Sequence, residues 1–186
     1  MDPVRVPAVA AASFPLPPRL EGLRRLAYNM HWAWHPHTRG LWSLIDRRAW
    51  VRYRNPIPVI SGPTEWARLL DDAKFLTNYH DVLAEFDHYM ANGSGHWFQR
   101  RYADELPGPI AYFCAEYGLY ESLGIYSGGL GVLAGDHMKT FSDMAIPAIG
   151  VGLLYRNGYF RQSIDADGHQ EHNYPDYDLS RLPISR

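Results

Sequence analysis

The sequence predicts an α/β fold: a helical N-terminal region followed by the start of a parallel α/β domain. Three observations predict it. Before residue 91, apolar residues recur at helical spacings of three and four. Two short apolar runs, PIAYFCAE (109–116) and PAIGVGLLY (147–155), then suit buried parallel strands. Between them lie a glycine cluster and a helical stretch, which complete a strand–turn–helix–strand unit.

The elements follow in order. Residues 1–17, rich in proline and alanine, predict a disordered lead-in. Over 18–34, Leu20, Leu23, Leu26, Ala27, Met30 and Trp34 trace one helical face, which Pro36 ends. Thr38 can cap a second helix with Leu41, Leu44, Ile45 and Ala49 inward. The proline-rich NPIPVISGP (55–63) reads as a connection. A third helix starts after Thr64, with Glu65 at its positive end and Trp66, Leu69, Leu70 and Ala73 on one side. A further helix carries Val82, Leu83, Phe86, Tyr89 and Met90. The helical region thus spans 18–92, and 93–108 reads as a linker opening on glycines. From 109 to 186 the chain reads as the beginning of an α/β domain. Its helix, over 132–144, should turn Leu133, Met138 and Phe141 inward. Arg156-Asn157-Gly158 offers a hairpin turn between LLY and YFRQSI, and DADG (165–168) offers another.

Composition narrows the function. The 186 residues are 46% hydrophobic and 20% charged, which excludes a disordered chain. A net charge of −2 gives no footprint for nucleic acid or an anionic membrane. No apolar run approaches the roughly 18 residues of a membrane span. Pro3 and Pro7 interrupt the alanine-rich start, so it does not read as a secretory signal. The single cysteine, Cys114, lies in an apolar run without a nearby base and reads as a packed thiol in a reducing compartment.

The strongest local feature is Ser127-Gly128-Gly129-Leu130-Gly131, between a strand and a helix. Glycines let a ligand approach the main chain, and the unpaired N–H groups of a helix start attract anions. The same string also suits a plain tight turn. It is neither GxGxxG nor a Walker A loop, because no GK[ST] follows. Metal signals are weak, and no metal is expected. His31, His35 and His37 in HWAWHPH lack the Glu of a zinc-protease helix, and His169 and His172 form no better set. DADG does not continue as a calcium loop. Asn92-Gly93-Ser94 has the form of a glycosylation sequon but reads as a loop. Trp32, Trp34, Trp42, Trp50 and Trp66 sit at helical spacings that suit a core rather than a sugar platform.

Two stretches together resemble one family. LRRLAYNMHWAWHP…LWSLIDRRAW…RNP resembles the helical N-terminal region of short bacterial and archaeal α-glucan (glycogen or maltodextrin) phosphorylases. IAYFCAEYGLYESLGIYSGGLGVLAGDHMKTFSDMAIPAIGVGLLYRNGYFRQSIDADGHQE resembles the start of their catalytic domain. The resemblance implies a cytoplasmic glycosyltransferase of the two-Rossmann-domain (GT-B) type. In that family orthophosphate cleaves the terminal glucose of an α-1,4-glucan, giving glucose 1-phosphate with retained configuration. Pyridoxal phosphate sits on a lysine of the C-terminal domain and works through its phosphate group. Carried over by motif, Ser127, Gly128, Gly129, Leu130 and Gly131 form the loop near phosphate and the glucosyl group, with the N–H groups of Gly129 and Leu130 as donors. Glu116 matches an acidic position of the family.

The resemblance further implies maltodextrin or another α-glucan and orthophosphate as partners, and leaves a homo-oligomer open for the full-length protein. The chain stops at Arg186, well inside the family's N-terminal catalytic domain, and Lys74 and Lys139 match no cofactor motif. A fragment without turnover of its own, with an open sheet edge, is therefore expected. Two other readings stay in view. Nucleotide-sugar glucan synthases share the fold, but carry a Lys where Tyr126 stands and often an Asp where Val132 stands. A non-catalytic glucan-binding or interaction module would use exposed tryptophans of the helical region.

Overall fold

The computed structural model describes residues 13–91 and 96–185. The sequon at 92–94 and most of the lead-in lie outside the described residues. The fold is mixed helix and strand and forms two compact units. One holds the residues up to Leu83 together with those from Asp178 onward; the other runs from Ala84 to Tyr177.

The first unit is helical. The face predicted over 18–34 is broken into three pieces: a 3₁₀ turn Pro18–Leu20, helix α1 (Gly22–Tyr28) and a second 3₁₀ turn Met30–Ala33. The break falls at Asn29, which is extended (φ −96°, ψ 120°) and uses its side chain to accept the His31 N–H at 3.0 Å. Asn competes with the helix for its own backbone, and periodicity cannot register that. Helix α2 (Pro36–Ile45) starts at Pro36, not after Thr38, and Thr38 is buried. Proline suits a first helical position because its missing N–H is not needed there. Asp46 separates α2 from α3 (Arg47–Tyr53) and caps α3 by accepting the Ala49 N–H at 2.9 Å. Leu44, expected inward, is exposed.

The proline-rich stretch is a helix after all: α4 (Pro56–Ser61), buried from Pro56 through Ile60. Both prolines fall in the first turn, where no N–H is required. Asn55 caps it, accepting the Ile57 N–H at 2.9 Å. Helix α5 (Trp66–Asp71) follows, with Glu65 as the residue before its first turn. Helix α6 (Ala73–Ala91) is one continuous element that leaves the first unit near Leu83. It buries Phe75, Tyr79, Val82 and Phe86, while Met90 is exposed. Leu20, Leu23, Leu26, Trp32, Trp42 and Ile57 are fully buried, and Trp50 meets Trp32 edge-on. Asn55 Nδ2 donates to the Arg181 carbonyl at 2.7 Å, which ties the last segment to this core.

The second unit starts with the end of α6 and a short helix α7 (Trp97–Tyr102), which falls within the 93–108 stretch. Strand β1 (Ile110–Phe113) then pairs in parallel with β2 (Ala148–Val151), from Ile110↔Ala148 to Phe113↔Val151. Helix α8 (Gly129–Asp143) connects them, so the expected unit forms. Its strands are shorter than the apolar runs, and they are not buried: Phe113 is 73% and Ile149 56% exposed. Leu133 is exposed too, because α8 turns Gly131, Ala134 and Gly135 inward. Ala145 ends α8 in a left-handed conformation (φ 52°), and Gln99 Nε2 donates to its carbonyl at 2.6 Å.

Beyond β2 one turn is where the sequence places it and one is not. DADG links antiparallel strands β3 (Arg161–Ile164) and β4 (Gln170–Asn173). Arg156-Asn157-Gly158 joins no hairpin with LLY; Asn157 instead bridges Asp176. An exposed Arg156–Asp176 ion pair at 3.0 Å and the Tyr177 N–H to the Arg156 carbonyl at 3.0 Å accompany that bridge, long-range pairings that no local turn signal contains. Arg156 also holds the Asp176 carboxyl below its ordinary range, through its hydrogen bond above all.

Candidate functional site

The site grows from the end of β1. After Phe113 the chain passes Cys114 and Ala115 and reaches Glu116 and then Tyr117, which is buried with its ring close to Gly150 and Gly152. The Tyr117 hydroxyl donates to the Tyr112 carbonyl. Burial raises its pKa, followed by the effects of Cys114 and Tyr112, so the ring stays a neutral spacer. Gly118 follows, and its N–H donates to the Gly131 carbonyl at 2.7 Å. Here strand end and helix start touch main chain to main chain. A Cβ on Gly118 would lie 3.0 Å from the Gly131 carbonyl carbon, and one on Gly135 would lie 2.5 Å from the Gly118 carbonyl carbon. Gly131 and Gly135 are thus packing glycines, one helical turn apart.

Gly128 and Gly129 have the opposite character. Both are exposed, and a Cβ on either would meet nothing within 4 Å. Gly128 is the extended N-cap residue (φ −141°, ψ −157°) and Gly129 the first residue of α8. The first rung of the helix ladder is the Val132 N–H to the Gly128 carbonyl at 3.2 Å. The N–H groups of Gly129, Leu130 and Gly131 precede it and are the orphan donors of a helix start. Leu130 has its side chain 62% exposed. The five residues therefore divide: Gly128, Gly129 and Leu130 form an open edge, Gly131 is buried, and Ser127 is anchored. The Ser127 N–H donates to Glu116 Oε2 at 3.3 Å and its hydroxyl to Oε1 at 3.1 Å.

A cavity of about 200 Å³ opens beside the anchored end, lined among others by Glu116, Tyr126, Ser127, Tyr155, Asn157 and Tyr159. The Tyr155 hydroxyl donates to the Ala115 carbonyl at 3.1 Å. Aromatic rings beside a carboxylate, a hydroxyl and an amide can take a polar ring such as a sugar. Spacing alone does not single out Glu116, Tyr155 or Asn157 as lining residues. The acidic residue closing the first apolar run was the one available signal.

The other candidates lie elsewhere. His31 and His35 stack with centroids 3.5 Å apart, and His37 Nε2 pairs with Asn78 Nδ2 at 3.0 Å. Asp165, Asp167 and His169 bring ligating atoms within 4.8 Å of one another, on an exposed turn. There the Asp165 carboxylate accepts the N–H groups of Asp167 and His169 at 2.9 and 2.8 Å. His172 sits beside Gln170 on β4. Cys114 is half-buried. Trp32, Trp42 and Trp50 are buried, and Trp34 and Trp66 half-buried. Lys139 pairs with Asp136 at 3.4 Å and Lys74 is exposed on α6; neither lines this cavity. No helix among the described residues is long and apolar enough to cross a membrane.

Residues 16–123, more than half of the chain, match the family described as "Protein of unknown function (DUF3417)". The chain belongs to the DUF3417 family. The DUF3417 match ends just before the glycine loop, and residues 119–181, which contain the loop, match the family described as carbohydrate phosphorylase. Among curated proteins the chain is 46% identical to the maltodextrin phosphorylase of Thermococcus litoralis over 171 residues, 91% of this chain and 20% of the relative. It is 41% identical to the glycogen phosphorylase of Mycobacterium tuberculosis over 177 residues, again 91% of this chain and 20% of the relative. The glycogen phosphorylase of Aquifex aeolicus is 40% identical over 152 residues, 81% of this chain and 21% of the relative. The resemblance read from the sequence therefore holds across the DUF3417 region and the loop alike. The chain spans about 20% of the length of the first two of these relatives. No solved structure matches it.

Proposed function

We propose that this chain forms the N-terminal part of an α-glucan phosphorylase. Its helical region, 18–92, precedes the start of the first Rossmann-like domain of a GT-B glycosyltransferase, with 93–108 between them. The reaction transfers the terminal glucosyl group of an α-1,4-glucan to orthophosphate. The bond from C1 to the glucan O4 breaks, a bond from C1 to a phosphate oxygen forms, and O4 takes up a proton. The glucan, whether glycogen or maltodextrin, and orthophosphate are its partners, and the lone thiol suits the cytoplasm.

The observation that carries this reading is the open start of α8. Gly128 and Gly129 leave the approach clear, and the N–H groups of Gly129 and Leu130 stand ahead of the helix ladder. They can receive phosphate or the glucosyl group without rearranging, and fixed donors aimed at developing charge lower a barrier efficiently. Ser127 holds the entry to the loop, and Gly131 lets α8 close against Gly118. Pyridoxal phosphate, which this family uses, would be held by residues other than those described here.

The test uses the protein at its natural length with maltodextrin and orthophosphate. The expected product is glucose 1-phosphate, formed only when phosphate is present. Glucose transfer from a nucleotide sugar instead would favour the synthase reading. Glucan binding that ignores phosphate, without any turnover, would favour the binding module.

A further inference from the structure

We infer that Glu116 is the positioning residue of the glycine loop, acting through Ser127; this rests on the reading that the loop receives phosphate. The carboxylate reaches the loop at both ends. Its two oxygens take the Ser127 N–H and hydroxyl at 3.3 and 3.1 Å, across eleven residues of chain. At the far end it lies over Gly131, where an added Cβ would be 3.0 Å from Oε2 and 3.1 Å from the Glu116 Cβ. Between these ends Gly128 and Gly129 have no side chains and open space around them. Such a stretch has wide conformational freedom, so the direction of its N–H groups must be set by its anchors. Main-chain bonds hold the helix side, Gly118 N–H to the Gly131 carbonyl at 2.7 Å and Val132 N–H to the Gly128 carbonyl at 3.2 Å, and Glu116 is the side-chain anchor at the entry.

The chemistry explains why a carboxylate stands beside a loop meant for an anion. Both oxygens are committed to Ser127, and a carboxylate accepts two such bonds without offering a donor of its own. A glutamine would keep one acceptor and turn an NH₂ toward the other donor. The loop N–H groups remain free for the incoming anion, and Glu116 acts on it only through the geometry it imposes.

The experiment compares wild type, Glu116→Gln, Glu116→Ala, Ser127→Ala and the Glu116→Ala/Ser127→Ala double variant, in the protein at its natural length. KM for orthophosphate should rise about tenfold or more in Glu116→Ala, less in Glu116→Gln, with KM for maltodextrin nearly unchanged. The double variant should be no worse than Glu116→Ala alone, because both changes remove the same anchor. Hydrogen exchange supplies a readout independent of turnover. The protected amides of Gly118, Ser127 and Val132 should exchange faster in Glu116→Ala than in wild type, with the rest unchanged. An unchanged phosphate KM, an additive double variant, or unchanged exchange at those amides overturns the inference. A wild-type protein that makes no glucose 1-phosphate overturns phosphorolysis, while exchange still decides the anchor. If Glu116→Ala fails to fold, Glu116→Gln decides by the same readings.

Discussion

Gly131 and Gly135 look alike in sequence to Gly128 and Gly129, yet they do different work. The first pair lets α8 approach the strand end, and the second leaves space in front of the helix. The difference predicts opposite outcomes for the same substitution. Gly135→Ala places a methyl group against the Gly118 main chain, which cannot swing away as a long side chain could. It should cost about 1–3 kcal/mol, read as a lower urea midpoint with an unchanged slope. An unchanged midpoint would mean that α8 does not pack there. The loop string was legible because glycines cluster between two apolar runs. The packing role of Gly131 and Gly135 was legible only in their spacing of four, and Gly118 carried no signal at all. Glu116 was visible as the acidic residue closing the first apolar run, but its role was not, since its partner lies eleven residues on.

Elements were legible where pattern is local and lost where partners are distant. Strands β1 and β2 were visible as apolar runs, but their exposure was not. The α4 helix was hidden by its prolines, although their place in the first turn is what helices tolerate best. Asn55 shows how that helix is held, for it caps α4 and also reaches the Arg181 carbonyl. Asn55→Ala should cost about 2 kcal/mol in thermal or urea unfolding, because it removes both a cap and the bond to the Arg181 carbonyl. The second unit has its own tie. The Tyr89 hydroxyl on α6 donates to Asp143 at 2.8 Å and accepts from Ser142 at 2.7 Å, at the end of α8. Burial first, and then Asp143, push its pKa from 10.0 up to about 12. A raised pKa means the fold favours the protonated phenol. Its stabilising effect is therefore complete below the ordinary tyrosine range and is lost as pH rises through about 12. Tyr89→Phe should remove that alkaline step from a plot of unfolding midpoint against pH. A step that persists in the variant would assign it to another group.

At the scale of the molecule, the helical unit buries Trp32, Trp42 and Leu23 fully, while the parallel pair in the second unit leaves Phe113, Ile149 and Val151 exposed. Two strands cannot cover their own faces, so these apolar side chains stay exposed. The overall order of a helical region followed by a strand–helix–strand unit followed from sequence period alone. The bridge from Asn157 to Asp176 did not, since its partners lie about twenty residues apart in sequence. The central claim is that the open start of α8 receives phosphate, and Gly129→Leu tests it most directly. A Cβ at Gly129 meets nothing within 4 Å and the position is exposed, so the unfolding midpoint should not fall. The measurement is kcat/KM for orthophosphate in maltodextrin phosphorolysis, made with the protein at its natural length. The predicted result is a loss of about tenfold or more, as the new side chain fills the approach to the donors. An unchanged kcat/KM in a folded, active Gly129→Leu protein would contradict the claim.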